Sequence, residues 1–370
     1  MKVETIIMIY GTICFCLIIF NIIYNLMMRF TDPNLEYRLE HFQKKIARQM
    51  QNAAEGKEIQ KAHLNFIYKK LRHVNNLVTF DKILNRELEE NTEQIGRAYL
   101  DAIRPVFLRL SVDYLKKDNA EAAYFTYFIA KHMSDREHSV DSLQGMMLEY
   151  VKKEQLYCRI NSLQALYQFG NEESVLDGLY FQDDNALYMS PKILTEGLLS
   201  FTGDHERLIT YFWQYRKEFT VGTQLGILNY IRFKTGGYAE EMKEIMNNPR
   251  EDKELRLCAI RYFGKYPNEE AKEALMQFAQ DKNNSHWEYV TVSIASLSRY
   301  PGEDVVAVLK DALHSSNWYI RFAASESIDA HRLHYMDLMD ILAGSDRYAR
   351  EIMQYRLEAH KLQRKGVDFG

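Results

Sequence analysis

The stretch RYFGKYPNEEAKEALMQFA, residues 261–279, decides the fold. An apolar helix end carries the aromatics Tyr262 and Phe263, Pro267 breaks the helix, and Asn268 can cap a new one. Ala271, Ala274, Leu275 and Phe278 then recur at helical spacing, so a second helix starts at once. Outward from this unit the same pattern returns in ALYQFGN (165–171), GLLSFTGD (197–204), YIRFKTGGY (230–238) and SLSRYPGED (296–304). The turn residues Gly170, Gly203, Gly237, Pro267 and Gly302 are 33, 34, 30 and 35 apart. Each precedes an amphipathic stretch: ESVLDGLYF, ERLITYFWQY, AEEMKEIM, EAKEALMQFA and DVVAVLKDAL. Two helices every 30–35 residues describe stacked helical hairpins, in which each unit buries its apolar face only against its neighbours.

Composition agrees. Six prolines and 17 glycines in 370 residues are few, where average usage gives roughly 18 and 26. Sandwiches and barrels need a turn signal every 8–12 residues or so, and this chain lacks them. With 46% hydrophobic residues and a net charge of −4, the chain is neither disordered nor, by charge, a general nucleic-acid binder. Four cysteines exclude a disulfide scaffold. The expected fold class is all-α: an α-solenoid of helical hairpins preceded by a single N-terminal transmembrane helix.

The stretches Glu254–Gly264 (ELRLCAIRYFG) and Trp318–Ile328 (WYIRFAASESI) resemble the first helix of HEAT and HEAT-like (PBS-lyase-type) repeats. Arg256 with Ala259, and Arg321 with Ala323 and Ala324, carry the likeness; Val290 and Thr291 fit it more loosely. The resemblance covers about 150–345 and implies fold rather than activity, because such arrays serve scaffolds, adaptors and a few enzymes. It implies paired helices held close by the alanines, with the arginines on carbonyls or acids of the adjacent repeat. Trp287 and Trp318 fall at equivalent positions and read as packing between repeats. The expected organisation is an anchor at 5–28, a basic neck at 29–56, less regular hairpins at 57–150, HEAT-like repeats at 151–345 and a capping helix with tail at 346–370. Pro105 falls within a longer, kinked helix of the irregular part, Ser190-Pro191 reads as a helix start, and Ser345-Asp346 caps the last helix.

Thr5 to Met28 is an uncharged run of 24 residues, able to reach about 36 Å as a helix against a hydrocarbon core of about 30 Å. A cleaved signal peptide has a shorter apolar region and small residues at its cleavage site, and this run has neither feature. It reads as a retained anchor in the lipid bilayer. Lys2 stands alone before it, whereas Arg29, Arg38, Lys44, Lys45 and Arg48 come after it. The positive-inside rule then predicts a single-pass protein of the cell membrane, its N-terminus outside and its solenoid cytoplasmic.

After a helix restart at Asp32-Pro33, Leu35, Leu39, Phe42, Ile46 and Met50 form one apolar stripe. From residue 38 to 72 nine Lys/Arg face three Glu, in a chain that is otherwise acidic. Two readings compete: a basic helix lying on anionic lipid through Arg38, Lys44, Lys45 and Arg48, or an ordinary first helix packing its stripe on the next.

Catalytic signatures are missing. No GxGxxG, GxxxxGK[ST], CxxC or HExxH occurs, so catalytic residues, cofactors and metals are all expected to be none. His132 with His138, and His331 with His334, are the remaining spacings of interest. His205-Glu206 is the single dipeptide resembling the iron-ligating pairs of deoxyhypusine hydroxylase, a HEAT-repeat enzyme that uses several. Tyr211, Trp213, Tyr215 and Arg216 crowd one second helix, which in HEAT arrays lines the concave face, and form the candidate partner surface. The expectation is a non-catalytic membrane-anchored scaffold for a protein partner that is itself membrane-associated, such as an envelope polysaccharide synthesis or secretion machine, without nucleic acid. The alternatives are an accessory or catalytic HEAT protein of the lyase type and a trafficking adaptor.

Overall fold

The computed structural model describes residues 8, 10–21, 35–89, 93–133 and 142–363. Among these residues there are helices and turns and no strand. The all-α reading holds. The chain divides into two compact units, 1–178 and 179–370.

In the first unit, α1 comprises residues 8 and 10–21, all exposed. It is followed by α2 (Leu35–Ala54), α3 (Lys61–Leu71), α4 (Val74–Glu89), α5 (Glu93–Leu115), α6 (Asn119–His132), α7 (Ser142–Val151), α8 (Leu156–Phe169) and the start of α9 (Glu172–Asp184). Two rows of helices result. α2, α4, α6 and α8 pack in succession, and so do α3, α5 and α7. Aromatic rings fill the space between: Phe107 stacks on Phe128 at 5.1 Å and Tyr114 on Phe125 at 4.7 Å. Burying side chains of this size stabilises the unit by about 1.5–3 kcal/mol each. α5 runs through Pro105 without a break.

The neck joins this core. Leu39, Phe42, Ile46 and Met50 are buried, and α2 packs on α4 and α5. Phe42 sits 6.0 Å from Phe66 and 5.8 Å from Phe80, ring to ring. Of the two readings of this stripe, packing is the one the structure adopts, and the apolar face is not free to enter a headgroup layer. Lys44, Lys45 and Arg48 remain exposed on the opposite face; the side chain of Arg38 lies outside the described residues.

Among the described residues no helix is long and apolar enough to cross a membrane. Of the run Thr5–Met28 only Met8 and residues 10–21 are described, and the rest lies outside, as do Asp32 and Pro33.

The second unit completes α9 and continues with α10 (Pro191–Leu199), α11 (His205–Tyr215), α12 (Val221–Lys234), α13 (Ala239–Asn247), α14 (Lys253–Lys265), α15 (Glu269–Ala279), α16 (Trp287–Leu297), α17 (Glu303–Ala312), α18 (Trp318–Ala330), α19 (Met339–Leu342) and α20 (Arg347–Gln363). The first helices form a continuous row, α10, α12, α14, α16, α18 and α20. Each second helix leans on the first helix of the next hairpin, as α13 on α14, α15 on α16 and α17 on α18.

Caps set the helix starts. Asp204, Asp252, Asn268 and Asn317 accept from backbone N–H groups in the first turns of α11, α14, α15 and α18. Pro191 opens α10, and Asp346 caps α20 through Tyr348 and Ala349. Small residues set the spacing. Ala259 and Ala324 are fully buried, and a Cβ on Gly264 would meet the Ser296 backbone Cα at 3.1 Å. That glycine lets α14 and α16 touch.

A repeated device ties hairpin to hairpin. Buried tyrosines near the ends of helices bond to the turn of a neighbouring hairpin: Tyr114 donates to the Leu71 carbonyl, Tyr150 to Ser111 and Tyr300 to Phe263. Tyr262 accepts from Tyr238 N–H, and Tyr300 accepts from Asn268 N–H. On the rim, Lys243 pairs with Glu270, Lys272 with Asp304 and Lys310 with Asp340, linking second helices. Ion pairs this exposed add little stability and mainly fix register.

Candidate functional site

The aromatics of α11 do not form one open face. Phe212 is buried, Tyr211, Trp213 and Tyr215 are half-buried, and Arg216 is only 7% exposed. Arg216 lies under Trp213, 4.5 Å from its ring, and Trp213 in turn contacts Tyr238 at 5.5 Å. Tyr211 is engaged by Arg207 at 3.1 Å. Arg216 is therefore part of the packing, with burial pulling its guanidinium below the usual arginine range, and the predicted patch reduces to the edges of three rings.

A larger open surface lies on α18 and α20. Ile320, Ala323, Ala324 and Ile328 of α18 face inward. The N-cap Asn317 fixes the first turn, and this leaves Trp318 and Tyr319 each 57% exposed. Trp318 stacks on Phe322 at 5.0 Å, and Tyr319 on Trp287 of α16 at 5.1 Å. Arg321 holds the Tyr348 ring at 4.8 Å, and Arg356 holds Phe322 at 5.1 Å while pairing with Glu326 at 3.2 Å. Tyr348 is itself 65% exposed. Such rings are held in place by cations and stacking before anything docks, which lowers the ordering cost of an interface.

Of the two arginines that carry the family resemblance, Arg256 reaches a carbonyl as that resemblance implies, whereas Arg321 stands over the Tyr348 ring. Arg256 donates to the Met246 carbonyl at 3.1 Å and stands over Tyr289 at 4.8 Å. Trp287 packs between repeats, but Trp318 faces solvent. Its equivalence in sequence hid a difference in exposure, because the sequence does not show which face its neighbours in α20 cover.

In the first unit a second cluster surrounds Asp81, a residue the sequence did not single out. Its carboxylate accepts from His132 Nε2 at 2.6 Å, Tyr124 at 2.9 Å and Lys131 at 3.1 Å. Burial alone would raise its pKa. The three donors outweigh burial and hold the carboxyl at about 2. A cavity of about 540 Å3 opens beside it, lined by Tyr124, Tyr127, Tyr157 and Gln155. Asp81 is itself part of that lining and the centre of the hydrogen-bonded cluster. It ties α4 to α6.

The other histidines are likewise engaged in structure. His331 contacts the Leu297 carbonyl at 3.3 Å, His334 caps a 3-10 turn with Asp337, and His205 bonds to Tyr230 at 2.5 Å. His138 lies outside the described residues. Among the described residues no group of three or more His, Cys, Asp or Glu could hold a metal.

The HEAT repeats family profile matches residues 240–329, which hold α14 to α17 and most of α13 and α18. No curated protein matches the chain. Among solved structures, the Escherichia coli protein YibA is 16% identical, with 82% of this chain and 98% of that one covered and a TM-score of 0.33. An engineered protein is 12% identical, with 89% and 99% covered and a TM-score of 0.34. Residues 240–329 thus match the HEAT repeats family, and over that stretch the chain is similar to it.

Proposed function

We propose that the chain is a non-catalytic scaffold, anchored in a membrane through residues 5–28, whose repeats hold a protein partner at the cytoplasmic face. The observation that carries the reading is the Trp318–Tyr319–Phe322 surface, braced by Arg321 and Arg356. Aromatic rings and arginines dominate the energetics of protein interfaces, and soluble monomers seldom leave such rings clustered in the open. The apolar run 5–28 and the cations beyond it support the membrane placement. An anchor would hold this surface within reach of a membrane-associated partner.

The test uses the full chain in its own cells. A photo-cross-linking residue at Trp318 should give one discrete protein adduct, lost when Tyr319 and Tyr348 are both changed to Ala at unchanged melting temperature. A smear of adducts, or an adduct indifferent to that pair, would remove the interface. Topology needs a new cysteine, since Cys158 and Cys258 are buried and would resist labelling on either side of a membrane. A cysteine placed at exposed Lys282 should react with a membrane-impermeant reagent only after lysis. Reaction in intact cells would reverse the orientation.

A further inference from the structure

Three successive first helices of the second unit line an open basic pocket that the scaffold reading does not use. Arg232 of α12, Arg261 and Lys265 of α14, and Arg299 just beyond α16 surround a cavity of about 510 Å3. Its lining includes Gly264 and Ser296, where the helices touch. Among the described residues no carboxylate lines it. Elsewhere along this unit lysines are matched to acids, as in Lys243–Glu270, Lys272–Asp304 and Lys310–Asp340. These four cations enter no ion pair among the described residues.

The pocket is crowded with like charge. Burial pulls the Arg232 guanidinium below the usual arginine range, and nearby Arg261 pushes it the same way. Its Nε is buried without a hydrogen-bond partner, while its Nη2 donates to Asn229 at 3.0 Å. Cys258, near enough to act on Arg232, is pushed up to about 11 by burial and so stays a neutral thiol. Lys265 donates to the Phe233 carbonyl at 2.9 Å, which leaves its charge uncancelled. The tyrosines Tyr230, Tyr262 and Tyr300 are fully buried beside these cations in sequence, so the helix ends that carry them are fixed. Uncompensated cations on rigid supports, around a cavity of ligand size, make a preorganised anion site.

We propose that this pocket binds a phosphate monoester, carried by a soluble metabolite or by a lipid headgroup. A dianion offsets several cations at once, and the planar fork of arginine matches two phosphate oxygens. The volume admits a small phosphorylated molecule.

The test titrates the full chain with glycerol 3-phosphate, and separately with phosphatidylcholine vesicles with and without phosphatidic acid. Saturable binding of glycerol 3-phosphate assigns a soluble ligand. Binding to phosphatidic acid vesicles alone assigns a headgroup. Arg261→Gln and Arg299→Gln should each weaken binding about tenfold, the loss expected for one charged hydrogen bond. Lys217→Gln with Arg250→Gln, two exposed cations outside the pocket, should leave it unchanged. Arg232→Gln should hold or raise the melting temperature, because it relieves repulsion, and Arg299→Gln keeps the binding test alive if Arg232→Gln misfolds. Neither probe binding, equal binding of chloride, or equal losses in the control pair would overturn the proposal.

Discussion

Tyr300 donates its hydroxyl to the Phe263 carbonyl at 3.2 Å, thirty-seven residues back in the chain, and accepts from Asn268 N–H at 3.1 Å. One side chain thus closes the end of α14 and the start of α15 from the following hairpin. Tyr300→Phe removes both bonds while keeping the ring, and it leaves a buried carbonyl and a part-buried N–H without this partner. The expected loss is about 1–3 kcal/mol in urea unfolding of the full chain. Tyr355→Phe, at a ring exposed to solvent, should cost nothing measurable.

The Asp81 cluster predicts an acid-sensitive first unit. Its carboxyl titrates at about 2 when folded, below the ordinary value of 3.8. A depressed folded pKa gives stability that is fully present above the unfolded value and lost as pH falls through the folded one. The loss should therefore run from about pH 4 down to 2 and total on the order of 2 kcal/mol. Asp81→Asn should flatten that part of the pH–stability curve. An unchanged acid limb in the variant would show that the cluster contributes nothing.

Ala259 and Ala324 are fully buried at repeat-equivalent places on α14 and α18. Ala259→Asp or Ala324→Asp puts a carboxylate where helices leave no room for water. Each should destabilise by more than about 3 kcal/mol or prevent folding. Ala259→Ser and Ala324→Ser, with one small hydroxyl able to reach a backbone carbonyl, should cost far less, as Ser296 on Ile260 and Ser327 on Ile294 already show it can be done.

The hairpin stack was legible because its signals are local: a helix period, a turn residue and a capping amide recur about every 33 residues. Tyr262 and Tyr300 stood in the quoted pattern as aromatics before a turn, yet their hydroxyl bonds reach into another hairpin, and spacing alone cannot supply that. The Asp81 cluster joins residues 50 apart with no motif, so nothing marked it. Trp213 and Trp318 show the limit most directly. Both are aromatic neighbours of an arginine, and only packing by Tyr238 and the course of α20 decide which one is open.

The neck gives the last prediction. Leu39, Phe42, Ile46 and Met50 are buried against α4 and α5, whereas Lys44, Lys45 and Arg48 point away. Leu39→Glu or Phe42→Glu puts a charge in that seam and should lower the melting temperature of the full chain by several degrees or more, as expected for about 2–4 kcal/mol. Changing Arg38, Lys44, Lys45 and Arg48 together to Gln should cost at most about 1 kcal/mol, mainly the contact of Lys45 over the Phe66 ring at 5.3 Å. Those four changes act instead on lipid. If these cations meet anionic headgroups, the first of the two readings of this helix, vesicle binding should fall by up to about 4 kcal/mol at low salt and by less at high salt. The two effects separate because the stripe is buried while Lys44, Lys45 and Arg48 are exposed. Melting lowered equally by both sets would mean that the cations hold α2 in place as much as the apolar stripe does.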